Sequence, residues 1–240
     1  MASAVSLSSP VTGARAGNVS YLGAARCRRK FELYYPDGFL DETYQVAERS
    51  FKERAQHEWN AELAPATFRK LLARGEFRQI ADIAVRIESR TNLLFSFEKM
   101  ALRDALKTHA GARLFATELY AFLWGRGSPQ RRFDDWTQAL ADLPRRQARV
   151  LTWPLATVFG FIARPDRHLL LKPMVTRRAA NAYGFDFDYQ SQPSWAGYRS
   201  LLTFAAIIRR DLDRIPGFRA RDMLDVQSFI WVQGAEEYEA

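Results

Sequence analysis

The chain has 240 residues, 48% hydrophobic and 13% aromatic, which excludes a disordered polymer and leaves enough apolar side chain for a sizeable core. Its formal net charge of +8 and pI of about 9.8 favour anionic partners without specifying a fold. The single cysteine, Cys27, excludes an intramolecular disulfide and fits a reducing, cytoplasmic compartment.

Residues 1–30 hold five cations and no acid, with much Ala, Ser and Gly. They read as a disordered basic leader, whether a targeting segment of transit-peptide composition or the product of a start codon assigned too early. Little packed structure is expected before Phe31, and the arginines flanking Cys27 would lower a thiol pKa. From residue 31 to 240 the pattern is that of a single helical globular domain, with 31–143 and 144–235 as alternative halves.

An aromatic segment over 31–35 stops at the turn Pro36–Asp37–Gly38. Asp41 caps a helix reaching residue 63, with a stripe of Tyr44, Ala47, Phe51, Ala55 and Trp59. Pro65 opens a second helix, ended by Gly75, and a third covers 77–89 with Ile80, Ile83, Ala84 and Ile87 inward. Thr91 or Asn92 caps a fourth that carries Leu94, Phe95, Phe97, Leu102, Ala105 and Leu106. A fifth covers 112–124, and Ser128–Pro129 starts a sixth with the stripe Phe133, Trp136, Leu140 and Leu143.

Thr152 and Pro154 start a helix over 154–163 that is apolar on nearly every side and therefore buried; Pro165 ends it. It is too short for a bilayer, which takes about 20 apolar residues. A helix over 174–183 ends at a left-handed Gly184. Phe185, Phe187 and Tyr189 then alternate with Asp186 and Asp188, as in a short strand or extended edge. Ser194 caps a helix over 195–214, and Asp222 caps a last one over 223–232. Gln227 and Ser228 interrupt its apolar pattern; if buried, they need hydrogen-bond partners, for which the loops at Pro173 and Pro193 are candidates. The fold class is mainly α: an irregular multi-helix domain with at most a short hairpin or extended pair near 168–190.

His57, His109 and His168 fall on different elements, so no metal site is assigned. No phosphate-binding glycine loop, dinucleotide fingerprint or nucleophile elbow is present, so no catalytic residue and no cofactor is assigned. The charge is local. Residues 1–30 carry +5, residues 144–178 carry +7, and the remainder sums to −4. The expected nucleic-acid-binding set is Arg145, Arg146, Arg149, Arg164, Arg167, His168, Lys172, Arg177 and Arg178, with Tyr189 beside them for stacking. The bland alternative scatters these cations over several faces.

The series LTWPLATVFGFIARPDRHLLLKP, AYGFDFDY, PSWAGY and RDMLDVQSFIWV, covering about residues 143–232, resembles an uncharacterised bacterial helical domain family. That family is distantly similar to modules accompanying modification-dependent restriction ATPases. The resemblance implies a DNA-facing accessory role and no activity, since neither a nuclease nor an ATPase motif accompanies it. Three readings stand at this point: a nucleic-acid-binding helical module, accessory to a defence or DNA-processing system; an interaction or scaffold module with an acidic protein partner; and an unrecognised hydrolase using His168 or the Asp186/Asp188 pair. None involves a membrane, and the sequence does not specify the oligomeric state.

Overall fold

The structure, a computed structural model, describes residues 21–144 and 150–239. It is 72% helical, with eleven helices and no strand among the described residues. In chain order these are α1 (Tyr21–Tyr34), α2, α3 (Pro65–Ala73), α4 (Phe77–Ser89), α5 (Ser96–Ala105), α6 (His109–Trp124), α7 (Pro129–Asp142), α8 (Trp153–Ala163), α9 (Pro173–Tyr183), α10 (Trp195–Leu212) and α11 (Met223–Gly234). Helix α2 is one continuous run made of Glu42–Tyr44, a π-turn at Gln45–Arg49, and Ser50–Glu62.

Local chemistry sets most of the helix starts. The side chains of Asp41, Thr108, Ser128, Thr152, Ser194 and Asp222 each accept a backbone N–H in the first turn. Such a cap is worth about 1 kcal/mol. Gly184 ends α9 at φ 77°, a conformation that costs glycine nothing.

Helix α8 is the centre of one layer. All of its residues are buried, as its sequence required, and it packs against α2, α4, α6 and α7. Each fully buried large apolar side chain contributes about 1.5–3 kcal/mol. Thr157 reconciles its hydroxyl with this apolar site by donating to Trp153 O at 2.8 Å and accepting from Leu171 N–H at 3.0 Å. In the second layer, α9 lies on α11 and α1 crosses both. Helices α9 and α11 approach so closely that a Cβ on Gly234 would stand 2.1 Å from Val175 O.

Helix α2 joins the layers: its π-turn meets α11 and its C-terminal part meets α8. The buried apolar side chains form one cluster from Cys27 to Tyr238, so 31–143 and 144–235 do not have separate cores. The buried face of α2 also holds polar side chains that the expected stripe did not include. The expected stripe placed Ala47 and Phe51 in the core. Instead Ala47 is exposed, Phe51 is half-buried, and Glu48, Arg49 and Lys52 turn inward. Tyr44, Ala55 and Trp59 stay buried as expected, so Glu48 and Lys52 lie on the same face at ordinary helical spacing.

Glu48, Arg49 and Lys52 enter a buried polar cluster. Arg49 donates to both carboxylate oxygens of Asp222 at 3.0 and 2.9 Å, and to Asp225 at 2.8 Å. Asp225 also accepts from Tyr44 Oη at 2.6 Å and Arg221 Nε at 2.9 Å. Lys52 donates to Glu48 at 2.8 Å and to Ser228 at 2.7 Å.

Several expectations need correction. Packed structure begins before Phe31: residues 21–30 belong to α1, which buries Gly23, Cys27 and Phe31 at four-residue intervals. The small residues at 23 and 27 gave too weak an apolar signal to betray that stripe. The first twenty residues of the expected leader lie outside the described residues. Helix α5 starts at Ser96, where Glu98 accepts the Phe95 N–H at 3.0 Å; Thr91 instead bonds back to Glu88 O. Phe95 and Phe97 consequently stand exposed, stacked on each other. The stretch over 185–190 forms no ladder. Phe185 stacks on Phe204 at 4.9 Å and the Asp188 N–H bonds Ser200 Oγ, so helix α10 serves as its partner.

Candidate functional site

Residues from α6, α7, α10 and the segment after α8 enclose a pocket of about 450 Å³. Its floor is aromatic. His168 lies 4.7 Å from the Phe122 ring, and Tyr198 stacks on Phe133 at 4.5 Å. Trp195 stands edge-on to Tyr198 at 6.2 Å and is half-buried. Gly160 makes room for this arrangement, since a Cβ there would sit 2.9 Å from His168 Cγ and 3.0 Å from Phe122.

His168 is buried, and its Nδ1 lies 2.9 Å from Tyr198 Oη. With the Leu169 N–H donating to that oxygen at 3.4 Å, the hydroxyl proton is directed to Nδ1 and the imidazole proton to Nε2. Burial, and then the charges of Arg164 and Arg132, push the His168 pKa down to about 3. Burial also raises the Tyr198 hydroxyl well above its ordinary value. The pair is therefore neutral at physiological pH and forms a rigid floor.

Cations ring this floor. Arg132, Arg167 and Arg199 line the pocket, and Arg164 acts electrostatically on both Arg132 and His168. Arg164 and Arg167 share one carboxylate, Asp166, each at 3.2 Å. Arg164 also donates to Leu123 O, at the C-terminal end of α6. Arg132 donates to Phe122 O at 3.1 Å, while its Nε is buried without a hydrogen-bond partner. Neither Arg132 nor the exposed Arg199 has a carboxylate partner among the described residues. Among the described residues, three arginines thus line the hollow, with Arg164 and the Asp166 carboxylate beside them.

The remaining cations of the expected set lie elsewhere. Arg145, Arg146 and Arg149 fall outside the described residues. Lys172 is buried in a different cavity, so it is not part of an exposed surface with Arg167. Arg177 lies over Tyr189 at 5.0 Å, and Arg178 is tied to Glu236 and Glu239, beside a third groove. No residue lines two of these three hollows, so the cations close in sequence divide among them. Arg132 and Arg199, which complete the ring, were missed because they come from α7 and α10. The one available signal was that Arg199 lies off the buried stripe of its helix.

Asp186 and Asp188 are exposed and share no pocket with His168, so the expected hydrolase groups are not brought together. Cys27 is 1% exposed, and burial raises its pKa to about 11 against the pull of Arg26 and Lys30. The anticipated lowering does not occur. Among the described residues no group of three or more His, Cys, Asp or Glu side chains is placed to hold a metal ion. No described helix is long and apolar enough to cross a membrane. No protein-family model matches the chain, and no curated protein or solved structure matches it either.

Proposed function

We propose that the chain binds single-stranded nucleic acid at the pocket between α7 and α10. Phosphates lie on Arg132, Arg167 and Arg199, and one base lies against Trp195. The observation that carries this reading is that, among the described residues, three arginines line an aromatic hollow, with Arg164 and the Asp166 carboxylate beside them. Uncompensated guanidinium groups attract a phosphate backbone, and a base gains about 1–3 kcal/mol by stacking on an aromatic ring. The hollow favours a single strand, because duplex bases are held inside their own stack. The resemblance of residues 143–232 to modules accompanying restriction ATPases points the same way.

Fluorescence anisotropy with a labelled single-stranded oligonucleotide tests the proposal. Three phosphate contacts predict that log K declines with log salt at a slope of about −2. Replacing Arg132 and Arg199 together by alanine weakens binding roughly tenfold or more and flattens that slope. Absence of binding at low salt, or unchanged binding by the double variant, overturns the reading.

A further inference from the structure

A separate cavity of about 280 Å³ lies between α2, the N-terminus of α9 and α11. Two polar side chains of its lining, Lys172 and Gln227, make no side-chain hydrogen bond among the described residues. Lys172 is 6% exposed; its Nζ sits 4.3 Å from the centre of the Phe95 ring and 5.8 Å from that of Trp231. It makes no ion pair or side-chain hydrogen bond among the described residues. Gln227 is 3% exposed, and its carboxamide likewise makes no hydrogen bond among them. The loops suggested as partners for Gln227 do not supply one.

Every carboxylate near Lys172 is committed elsewhere. Glu98 accepts from Thr152 Oγ1 at 2.7 Å and from the Phe95 N–H. Glu88 pairs with Lys99, and Glu48 pairs with Lys52. Glu237 accepts from Trp231 Nε1. Burial lowers the Lys172 pKa from its ordinary value of 10.5, against the pull of Glu98 and Glu88, neither of which lies at ion-pair distance. With no carboxylate at ion-pair distance, the ammonium can direct its N–H donors to an anion that enters the cavity.

We propose that this cavity binds a small carboxylate monoanion, with Lys172 as its counter-ion and the Gln227 amide as a hydrogen-bond donor. The rest of the lining selects the class. Phe51, Leu93, Leu170 and Trp231 favour an apolar or aromatic body on the ligand. Of the two lysines in the lining, Lys52 is paired with Glu48, so Lys172 alone is left to match the ligand, and one cation compensates one negative charge, which disfavours phosphate esters and dicarboxylates. The site shares no residue with the arginine pocket, so the two proposals stand or fall separately.

The test is calorimetric titration of the full chain with acetate, benzoate and indole-3-acetate, with Trp231 fluorescence as a second signal. Benzamide and inorganic phosphate are the controls. At least one carboxylate, with benzoate or indole-3-acetate ahead of acetate, binds at millimolar concentration or tighter. Benzamide and phosphate bind at least about tenfold more weakly, the measure of one charge-assisted hydrogen bond. Lys172→Met removes carboxylate binding, and Gln227→Met weakens it severalfold. Circular dichroism establishes that each variant is folded; if Lys172→Met is not, Gln227→Met and the benzamide comparison decide. No heat from any of the three carboxylates, equal binding of benzamide, or full retention by a folded Lys172→Met protein overturns the proposal.

Discussion

Arg49 Nη1 lies 2.8 Å from Asp225 Oδ1, joining α2 to α11 where neither side chain reaches solvent. The pair is locked by Tyr44, Arg221 and Asp222, so its desolvation is offset by several charge-assisted bonds. Removing one partner strips the other of its closest counter-charge and leaves Asp222 and Glu53 for Arg49, or Arg221 for Asp225. Asp225→Ala and Arg49→Met are each expected to destabilise the protein by about 3–5 kcal/mol in urea denaturation. Burial alone would raise the Asp225 carboxyl; the bonds from Arg221 and Tyr44 and the charge of Arg49 outweigh it and hold the pKa below 3.8. Its stabilisation is therefore complete above the unfolded value and disappears as the pH falls through the folded one. A loss under 1 kcal/mol, well below that range, would show that the contact contributes little.

His168 gives a second pH signature with a different window. It stays neutral in the folded protein down to about pH 3, whereas an unfolded histidine takes up a proton near its ordinary value of 6.5. Between those values unfolding consumes a proton. Stability therefore falls as the pH drops, by up to about 1.4 kcal/mol per unit. His168→Gln removes this slope, so denaturation midpoints of the variant and the native protein converge toward low pH. Parallel midpoint curves between pH 6.5 and 5 would contradict the placement.

Cys27 lies on the buried face of α1, and its carbonyl accepts from Gln233 Nε2 at 3.1 Å. Its thiol is expected to resist a disulfide reagent in the native protein and to react at once in denaturant. Native labelling should follow the population of opened molecules and slow when the chain is stabilised. Equal rates in buffer and in denaturant would place Cys27 at the surface.

Much of the helical scaffold was legible locally. Asp41, Ser128, Thr152, Ser194 and Asp222 cap the helices they were expected to cap, and Gly184 takes the left-handed conformation. The buried state of α8 followed from its apolar circumference alone. The inward turn of Glu48, Arg49 and Lys52 did not, because a stripe counted from apolar residues passes over charged ones, whose burial depends on partners distant in sequence. Helix α1 escaped because a four-residue stripe of Gly23, Cys27 and Phe31 carries little apolar weight.

The candidate sites divide along the same line. By itself the sequence determined where helices start and stop and which face of most of them is apolar, because capping bonds and side-chain periodicity act within a few residues. Tertiary packing decided the rest: that Arg132 and Arg199 join Arg167 at one hollow, that Lys172 and Gln227 meet in another, and that Arg49 finds Asp225. Cations close in sequence were drawn apart because Arg167 lies in the turn after α8, Lys172 just before α9 and Arg177 within it, and that connection passes different helices on its way. Distant ones were brought together because burying the apolar faces fixes how the helices cross.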